Sequence, residues 1–216
     1  MTIKNYLADY AKSFNWAGFF LPKIIYNDCC KLYAFCRVLD DIVDEKTTLG
    51  SRVERFNEIK NIFKKNYELN KNDRNEFDQN EHTLIIKDMI ILADNNNIKP
   101  VILDDLIEGV ESDLKPRVYF RSVKDLLVYS YRVAGTVGLM MAKILNVNDT
   151  RSLRGAIDLG IAMQLTNIAR DVIEDQKMNR QYIKPDFENI EATLKLADMF
   201  YESSFNNSER FIGLFI

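Results

Sequence analysis

Histidine is almost missing from this chain: His82 is the only one in 216 residues. Its rarity rules out a zinc site of the usual His-rich kind and the Glu-x-x-His pairs of a di-iron bundle. Cysteine is scarce too, with Cys29, Cys30 and Cys36 an odd set. A ligand set of these three with His82 is set aside, because the spacing matches no standard metal site. With 4 prolines and 8 glycines, little interrupts a helix. The longest apolar runs, such as "MIILA" from Met89 to Ala93, fall far short of the roughly 20 residues that span a bilayer. Charge of one sign is not in excess. The net charge of −3 leaves no global footprint for nucleic acid, so work on phosphates would need local basic groups or metal ions. The start "MTIKNYLADYAKSF" has no apolar signal-like core, which makes a reducing cytoplasm the expected home. Peripheral association with the inner face of a membrane is left open.

What is present is helical pattern. The chain is 47% hydrophobic and 28% charged, enough for one sizeable core, and a single domain over residues 1–216 is expected. Apolar residues at three- and four-residue spacing run through roughly 22–44, 52–65, 81–95, 100–114, 123–145, 151–174 and from 190 towards the end. Strict alternation is rare, and no credible sheet is read. The connections "NYELNKNDRNE" and "ADNNNIKP" are rich in Asn and Lys, and Pro100 suits the first turn of a helix. The fold class expected is all-α, a multi-helix bundle. The closing "SERFIGLFI" has no stop signal, and the expectation is that further C-terminal helices are lacking.

The charges are then placed oddly. Asp40, Asp41, Asp44 and Glu45 crowd into "CRVLDDIVDE", behind an apolar, aromatic run. At about 100° per residue, Tyr33, Arg37, Asp40 and Asp44 share a stripe about 60° wide. A second segment, "GIAMQLTNIARDVIED", places Gln164, Asn167, Asp171 and Asp175 within about 80° of one another, beside an apolar stripe of Ile161, Leu165, Ile168 and Val172. A solvated acidic helix end is the bland reading of either patch alone. Two of them in apolar sequence imply more. If the faces oppose each other at about 8 Å, each like-charge pair costs about 2 kcal/mol at an effective dielectric near 20. Hard divalent cations relieve that repulsion, and Mg²⁺ favours carboxylate oxygens, water and phosphate, so metal-bound diphosphate is the ligand expected.

A third segment, "YSYRVAGTVGLMMA", lines Tyr131, Gly135, Gly138 and Ala142 along one face. Two readings stay open: close helix packing through small residues, or a smooth wall beside a long apolar chain with Tyr131 at its mouth. Gly in a helix costs about 1 kcal/mol against Ala, so a steric reason must exist.

These segments together resemble the squalene/phytoene synthase family, its bacterial phytoene-forming members most closely. "YAFCRVLDDIVDE" is similar to the first aspartate-rich motif, "YSYRVAGTVG" to the central helix motif, and "GIAMQLTNIARDVIED" with "NRQY" to the second aspartate-rich motif. "KSFNWAGFFLP" is similar to the N-terminal segment, and the likeness runs from about residue 9 to about residue 200. The resemblance implies an isoprenoid synthase bundle around a central cavity. Asp40, Asp44, Asp171 and Asp175 would bridge Mg²⁺, or Mn²⁺ in its place, to substrate diphosphates, with Asn167 assisting. Lys12, Ser13, Arg37, Arg170 and Arg180 match diphosphate-binding positions. Phe14, Tyr33, Tyr131, Gln164 and Tyr182 match positions lining the site, with Tyr131 assigned to the chemistry, and Asp113 in "GVESDL" resembles a further acidic position. Two departures stand out: the chain is short for the family, and Lys184 displaces the usual proline to Pro185.

The implied reaction joins two geranylgeranyl diphosphates head to head, through a cyclopropylcarbinyl diphosphate, to phytoene, with no NADPH expected. Squalene or dehydrosqualene formation from farnesyl diphosphate is the first alternative. A head-to-tail prenyltransferase or terpene cyclase would share the metal logic but not the "YSYRVAGTVG" segment. A non-catalytic, synthase-like assembly factor would be free to lose acids that are intact here. Isoprenoid diphosphates are the expected partners, and the oligomeric state is left open.

Overall fold

The computed structural model of the chain describes residues 20–68 and 81–212. They fall into two compact units, Met1–Pro100 and Val101–Ile216, each described in turn.

The first unit packs three helices: α1 (Lys23–Asp44), α2 (Leu49–Glu68) and α3 (Glu81–Asn95). Pro22, extended at φ −53° and ψ 140°, precedes α1. The face of α1 carrying Leu32, Phe35, Leu39, Ile42 and Val43 is buried, as the three- and four-residue spacing requires. Phe56, Ile59 and Phe63 from α2 and Ile86, Met89, Ile90 and Ala93 from α3 complete this core. Phe35 and Phe63 meet with ring centroids 6.1 Å apart. Thr48 starts α2 by accepting the Ser51 amide on its hydroxyl at 3.2 Å, so the helix begins at Leu49, ahead of the periodic residues. The three cysteines are free thiols.

In a chain this poor in glycine, asparagine ends the helices. Asn97, Asn146 and Asn179 are the non-glycine residues at positive φ, 52°, 61° and 60°, among the described residues. After α3, left-handed Asn97 lets the Ile98 amide reach back to the Ala93 carbonyl at 2.9 Å, and buries Ile98. Asn146 does the same for Val147 and Ala142. Of the ordinary side chains, only short polar ones such as Asn tolerate this conformation readily, which gives the Asn-rich connections a physical reason.

The second unit opens with α4 (Pro100–Glu111) and a 3₁₀ turn at Ser112–Leu114. A two-residue strand, β1 (Val118–Tyr119), leads to α5 (Val123–Ser130), started by a capping box between Ser122 and Asp125. A π-helical turn at Tyr131–Gly135 carries α5 without a break into α6 (Thr136–Ile144). Then come α7 (Thr150–Lys177), capped by Asp149, a second short strand β2 (Arg180–Gln181), and α8 (Phe187–Ile212). The strands pair in parallel, Val118 with Arg180 and Tyr119 with Gln181. That pairing corrects the expectation of no sheet: two-residue strands carry no period for a sequence to reveal, and they tie loops together without forming a layer.

Two glycines set how the helices of this unit cross. A Cβ on Gly138 would stand 2.1 Å from the Ala156 carbonyl oxygen, and one on Gly160 would stand 2.2 Å from that of Ala134. The π turn and α6 therefore meet α7 backbone to backbone. Packing is the outcome for the small-residue stripe: Gly135 and Gly138 are filled by Ala156, Ile157, Gly160 and Ile161 from α7, so these glycines leave no room for a ligand chain. On its other side α7 holds α8, where Gly155 meets Ser204 and Ser208, and Ser203 donates to Asp158 at 2.7 Å.

Candidate functional site

The first acidic pair stands on the last two turns of α1. Asp40 and Asp44 are exposed, Tyr33 and Arg37 half-buried, while Val38, Leu39, Ile42 and Val43 hold the opposite face in the core. The Arg37 guanidinium lies 2.7 Å from Asp41, one turn on and on the adjoining face. Glu45 is paired with Arg55 of α2. The helix C-terminus, where four acids oppose the macrodipole, is answered from the same element, since Arg52 donates to the Val43 carbonyl at 2.6 Å. Of the four clustered acids, then, Asp41 and Glu45 serve arginines of their own unit. Burial pushes the Tyr33 phenol up; Arg37 opposes that, and Asp40 and Asp41 add to it. The Cys36 thiol is pushed far up by burial and by Asp40, so it is no nucleophile.

The second pair lies on α7, where Gln164, Asn167, Asp171 and Asp175 are all half-buried beside buried Ile161, Leu165, Ile168 and Val172. The wheel expected from the sequence is the one observed. Arg170 grips Asp171 with two parallel bonds, Nε to Oδ1 at 2.6 Å and Nη2 to Oδ2 at 2.5 Å. The hydrogen bonds from the Arg170 guanidinium hold the Asp171 carboxyl below its usual range, against the opposing effect of burial. Among the described residues no three His, Cys, Asp or Glu side chains converge as a metal cage. The two acidic pairs belong one to each unit. As donors they are hard carboxylate oxygens with an amide beside one pair, which suits an ion that keeps open positions for water and phosphate.

The remaining residues of the second unit form two polar clusters. Tyr182, following β2, is buried among Val118, Tyr129 and Ile183. Its hydroxyl donates to Asp113 Oδ1 at 2.8 Å, and Tyr129 donates to Asp113 Oδ2 at 2.6 Å. Each phenol has one proton. Both go to Asp113, so the 3.0 Å approach of the two phenol oxygens follows from sharing an acceptor. The rings stack at 4.8 Å, with Phe120 against both. Burial, then the Asp113 charge, pushes both phenols well up, which keeps them protonated donors. Arg180 is buried on β2. The resemblance implies Tyr182 and Asp113 at the site; Tyr129, which opens the central motif "YSYRVAGTVG", is not among the residues it names.

In the second cluster Tyr131, the first residue of the π turn, donates its hydroxyl to Asp105 of α4 at 3.2 Å. Asp105 carries no motif signal. Lys12, Ser13 and Phe14 lie outside the described residues.

The model of one family, squalene/phytoene synthase, matches residues 7–211. The chain belongs to the squalene/phytoene synthase family. It is 37% identical over 181 residues to the 15-cis-phytoene synthase of Paracoccus sp., covering 82% of this chain and 57% of that one. It is also 37% identical over 153 residues to the 15-cis-phytoene synthase of Pantoea ananas, covering 70% and 48%. The chain thus spans about half the length of these curated relatives. Among solved structures, a dehydrosqualene synthase in complex with ligand is similar at 26% identity and a TM-score of 0.72, over 93% of this chain and 73% of that one. A squalene synthase from Alicyclobacillus acidocaldarius, 18% identical, shares the fold with a TM-score of 0.70 over 95% of this chain and 80% of that one. The all-α isoprenoid synthase architecture of the family agrees with the helices described above.

Proposed function

We propose that the chain is a prenyltransferase that condenses two geranylgeranyl diphosphates head to head to phytoene. The observation that carries this reading is the repeated i, i+4 aspartate pair beside an arginine, on α1 and on α7, in a chain 37% identical to 15-cis-phytoene synthases. Asp40, Asp44, Asp171 and Asp175, with Asn167, are the residues we assign to Mg²⁺, with Mn²⁺ as a substitute. The bound ion supplies charge neutralisation of the leaving diphosphate.

Arg37, Arg170 and Arg180, with Lys12 and Ser13, hold the diphosphates in this reading and stabilise the charge that develops as the carbon–oxygen bond ionises. Both electrons of that bond leave with the diphosphate. The double bond of the second substrate then captures the allylic cation, and proton loss closes the cyclopropane. A second ionisation, rearrangement and proton loss give phytoene. Carbocations need a dry pocket, and we assign Phe14, Tyr33, Gln164, Tyr131 and Tyr182 to its lining as the family resemblance implies, with Tyr131 offering its ring face to the cation. Formation of dehydrosqualene from farnesyl diphosphate is the second reading, favoured by the likeness to a dehydrosqualene synthase structure.

Incubation with labelled geranylgeranyl and farnesyl diphosphates and Mg²⁺, with and without NADPH, separates these readings. Phytoene without NADPH is the expected product, and exclusive use of farnesyl diphosphate refutes the chain length. Mg²⁺ with a diphosphate analogue at a hundredfold excess over Kd should raise Tm by about 5–10 °C. No shift would leave a non-catalytic assembly factor as the better reading.

An apolar product must leave into an apolar phase, and we place the chain at the inner face of a membrane. No described helix is long and apolar enough to cross one. Support comes from the segment "RVYFR" around β1, where Arg117, Tyr119 and Arg121 are exposed while Val118 is buried and Phe120 half-buried, with the Arg117 guanidinium 5.9 Å above the Tyr119 ring. Each basic residue near an anionic surface contributes about 1 kcal/mol. Co-sedimentation with phosphatidylglycerol vesicles should fall with salt and fall further in Arg117→Glu/Arg121→Glu. Equal recovery with phosphatidylcholine vesicles would refute the placement.

A further inference from the structure

The contact between Tyr131 and Asp105 is built into how α4 meets the π turn. Gly109 of α4 packs so tightly that a Cβ there would lie 2.7 Å from Arg132 Cβ and 2.9 Å from Val133 Cγ1. Asp105 is one turn earlier on the face that Gly109 occupies, so this close approach brings its carboxylate level with the start of the π turn. Its two oxygens then serve neighbouring residues. Oδ2 accepts the Tyr131 hydroxyl at 3.2 Å, and Oδ1 lies 4.0 Å from Arg132 Nε. Arg132 is anchored in turn by Glu108, to which it donates at 2.7 Å. In a regular helix adjacent side chains point about 100° apart. The π turn, a kind of distortion frequent at functional sites, lets Tyr131 and Arg132 meet one carboxylate.

We propose that Asp105 is a positioning residue for Tyr131: it accepts the phenol's only proton, fixes the orientation of the ring and leaves the phenol oxygen with no proton to donate to a substrate diphosphate. The inference rests on the reading above, in which Tyr131 faces the reacting cation. A phenol hydrogen-bonded to a carboxylate is richer in electron density than a free one, and a richer ring face holds a cation better. Tyr131 thus acts through its ring and not as an acid towards the leaving group. Arg132 stands beside the Asp105 carboxylate, and Glu108 keeps Arg132 in place. The phenol is pushed up by burial first and then by Asp105 through its charge and its hydrogen bond, with Arg132 pulling the other way.

The test compares Asp105→Asn, isosteric but uncharged, with Tyr131→Phe and the double variant, in the full chain. Asp105→Asn should lower kcat on geranylgeranyl diphosphate by about ten- to a hundredfold with KM within about twofold. In the Tyr131→Phe background the same substitution should do almost nothing further. Independently of turnover, the ¹³Cζ resonance of labelled Tyr131, assigned by its loss in Tyr131→Phe, should titrate at lower pH in Asp105→Asn than in the wild type. An unchanged resonance and midpoint, or a loss from Asp105→Asn as large without Tyr131 as with it, overturns the proposal. A wild-type chain inactive on both diphosphates would refute the function proposed above, and the resonance would still decide for or against Asp105.

Discussion

Asp171→Asn is expected to lower turnover of the allylic diphosphate by about a thousandfold and to abolish stabilisation by Mg²⁺ with diphosphate, while leaving the fold unchanged. Asp171 is half-buried on the polar edge of α7. Arg170 holds it ionised, so the wild type presents a full carboxylate that the amide cannot replace. The apolar stripe of Ile161, Leu165, Ile168 and Val172 is untouched, and a loss of function with an intact thermal transition is the signature to look for. Asp40→Asn should behave alike. The informative control is one residue away. Asp41 is engaged by Arg37 as an exposed i, i+4 pair, of a kind that contributes about 0.3–0.5 kcal/mol. Asp41→Asn should therefore cost less than about tenfold in turnover. Steady-state kinetics on the three variants settles the assignment. Equal damage from Asp40→Asn and Asp41→Asn would mean that charge density on α1 matters and individual carboxylates do not.

That control depends on information the sequence does not contain. Within "CRVLDDIVDE" the four acids are equivalent as letters, and helical geometry sorts them only into two faces. It is Arg55, reaching over from α2, and Arg37, turning towards Asp41, that engage Glu45 and Asp41 in ion pairs of their own unit. The helices themselves were legible because each is long, periodic and closed by a residue with a mechanism: Pro22 before α1, Asn97 after α3, Ser122 before α5. The polar face of α7 was legible for the same reason, since an i, i+3, i+4 pattern survives any tertiary context. Three features were not. The π turn needs an i→i+5 bond that no residue type encodes. The β1–β2 pairing joins segments about 60 residues apart through strands too short for a period. Asp105 looks like an acid on the wet edge of an amphipathic helix, "VILDDLIEG", and only the close approach at Gly109 makes it a partner for a tyrosine 26 residues on.

The same kind of close approach predicts the largest stability effect in the chain, at Gly160. An added methyl there would meet Ala134 O at 2.2 Å, Ala134 C at 2.7 Å and Gly135 Cα at 3.0 Å. All three are backbone atoms, so no rotamer change relieves the clash, and the crossing of α7 with the π turn must open. Opening it loosens Met140 and Leu165, both fully buried, so overpacking is joined by lost dispersion contacts. Gly160→Ala should destabilise the chain by about 3 kcal/mol, lowering Tm by about 6–12 °C. Gly50→Ala gives the opposite sign, because nothing lies within 4 Å of its Cβ. There the reduced freedom of the unfolded chain should stabilise the fold by about 0.4–1 kcal/mol. Thermal unfolding followed by circular dichroism compares the two directly. Gly138→Ala, with its own clash on Ala156 O, should match Gly160→Ala when made alone and add less than its single cost in the double variant, since helices already parted at one glycine leave room at the other. A neutral Gly160→Ala would mean that the helices do not cross backbone to backbone, and the π turn that carries Tyr131 would lose its support.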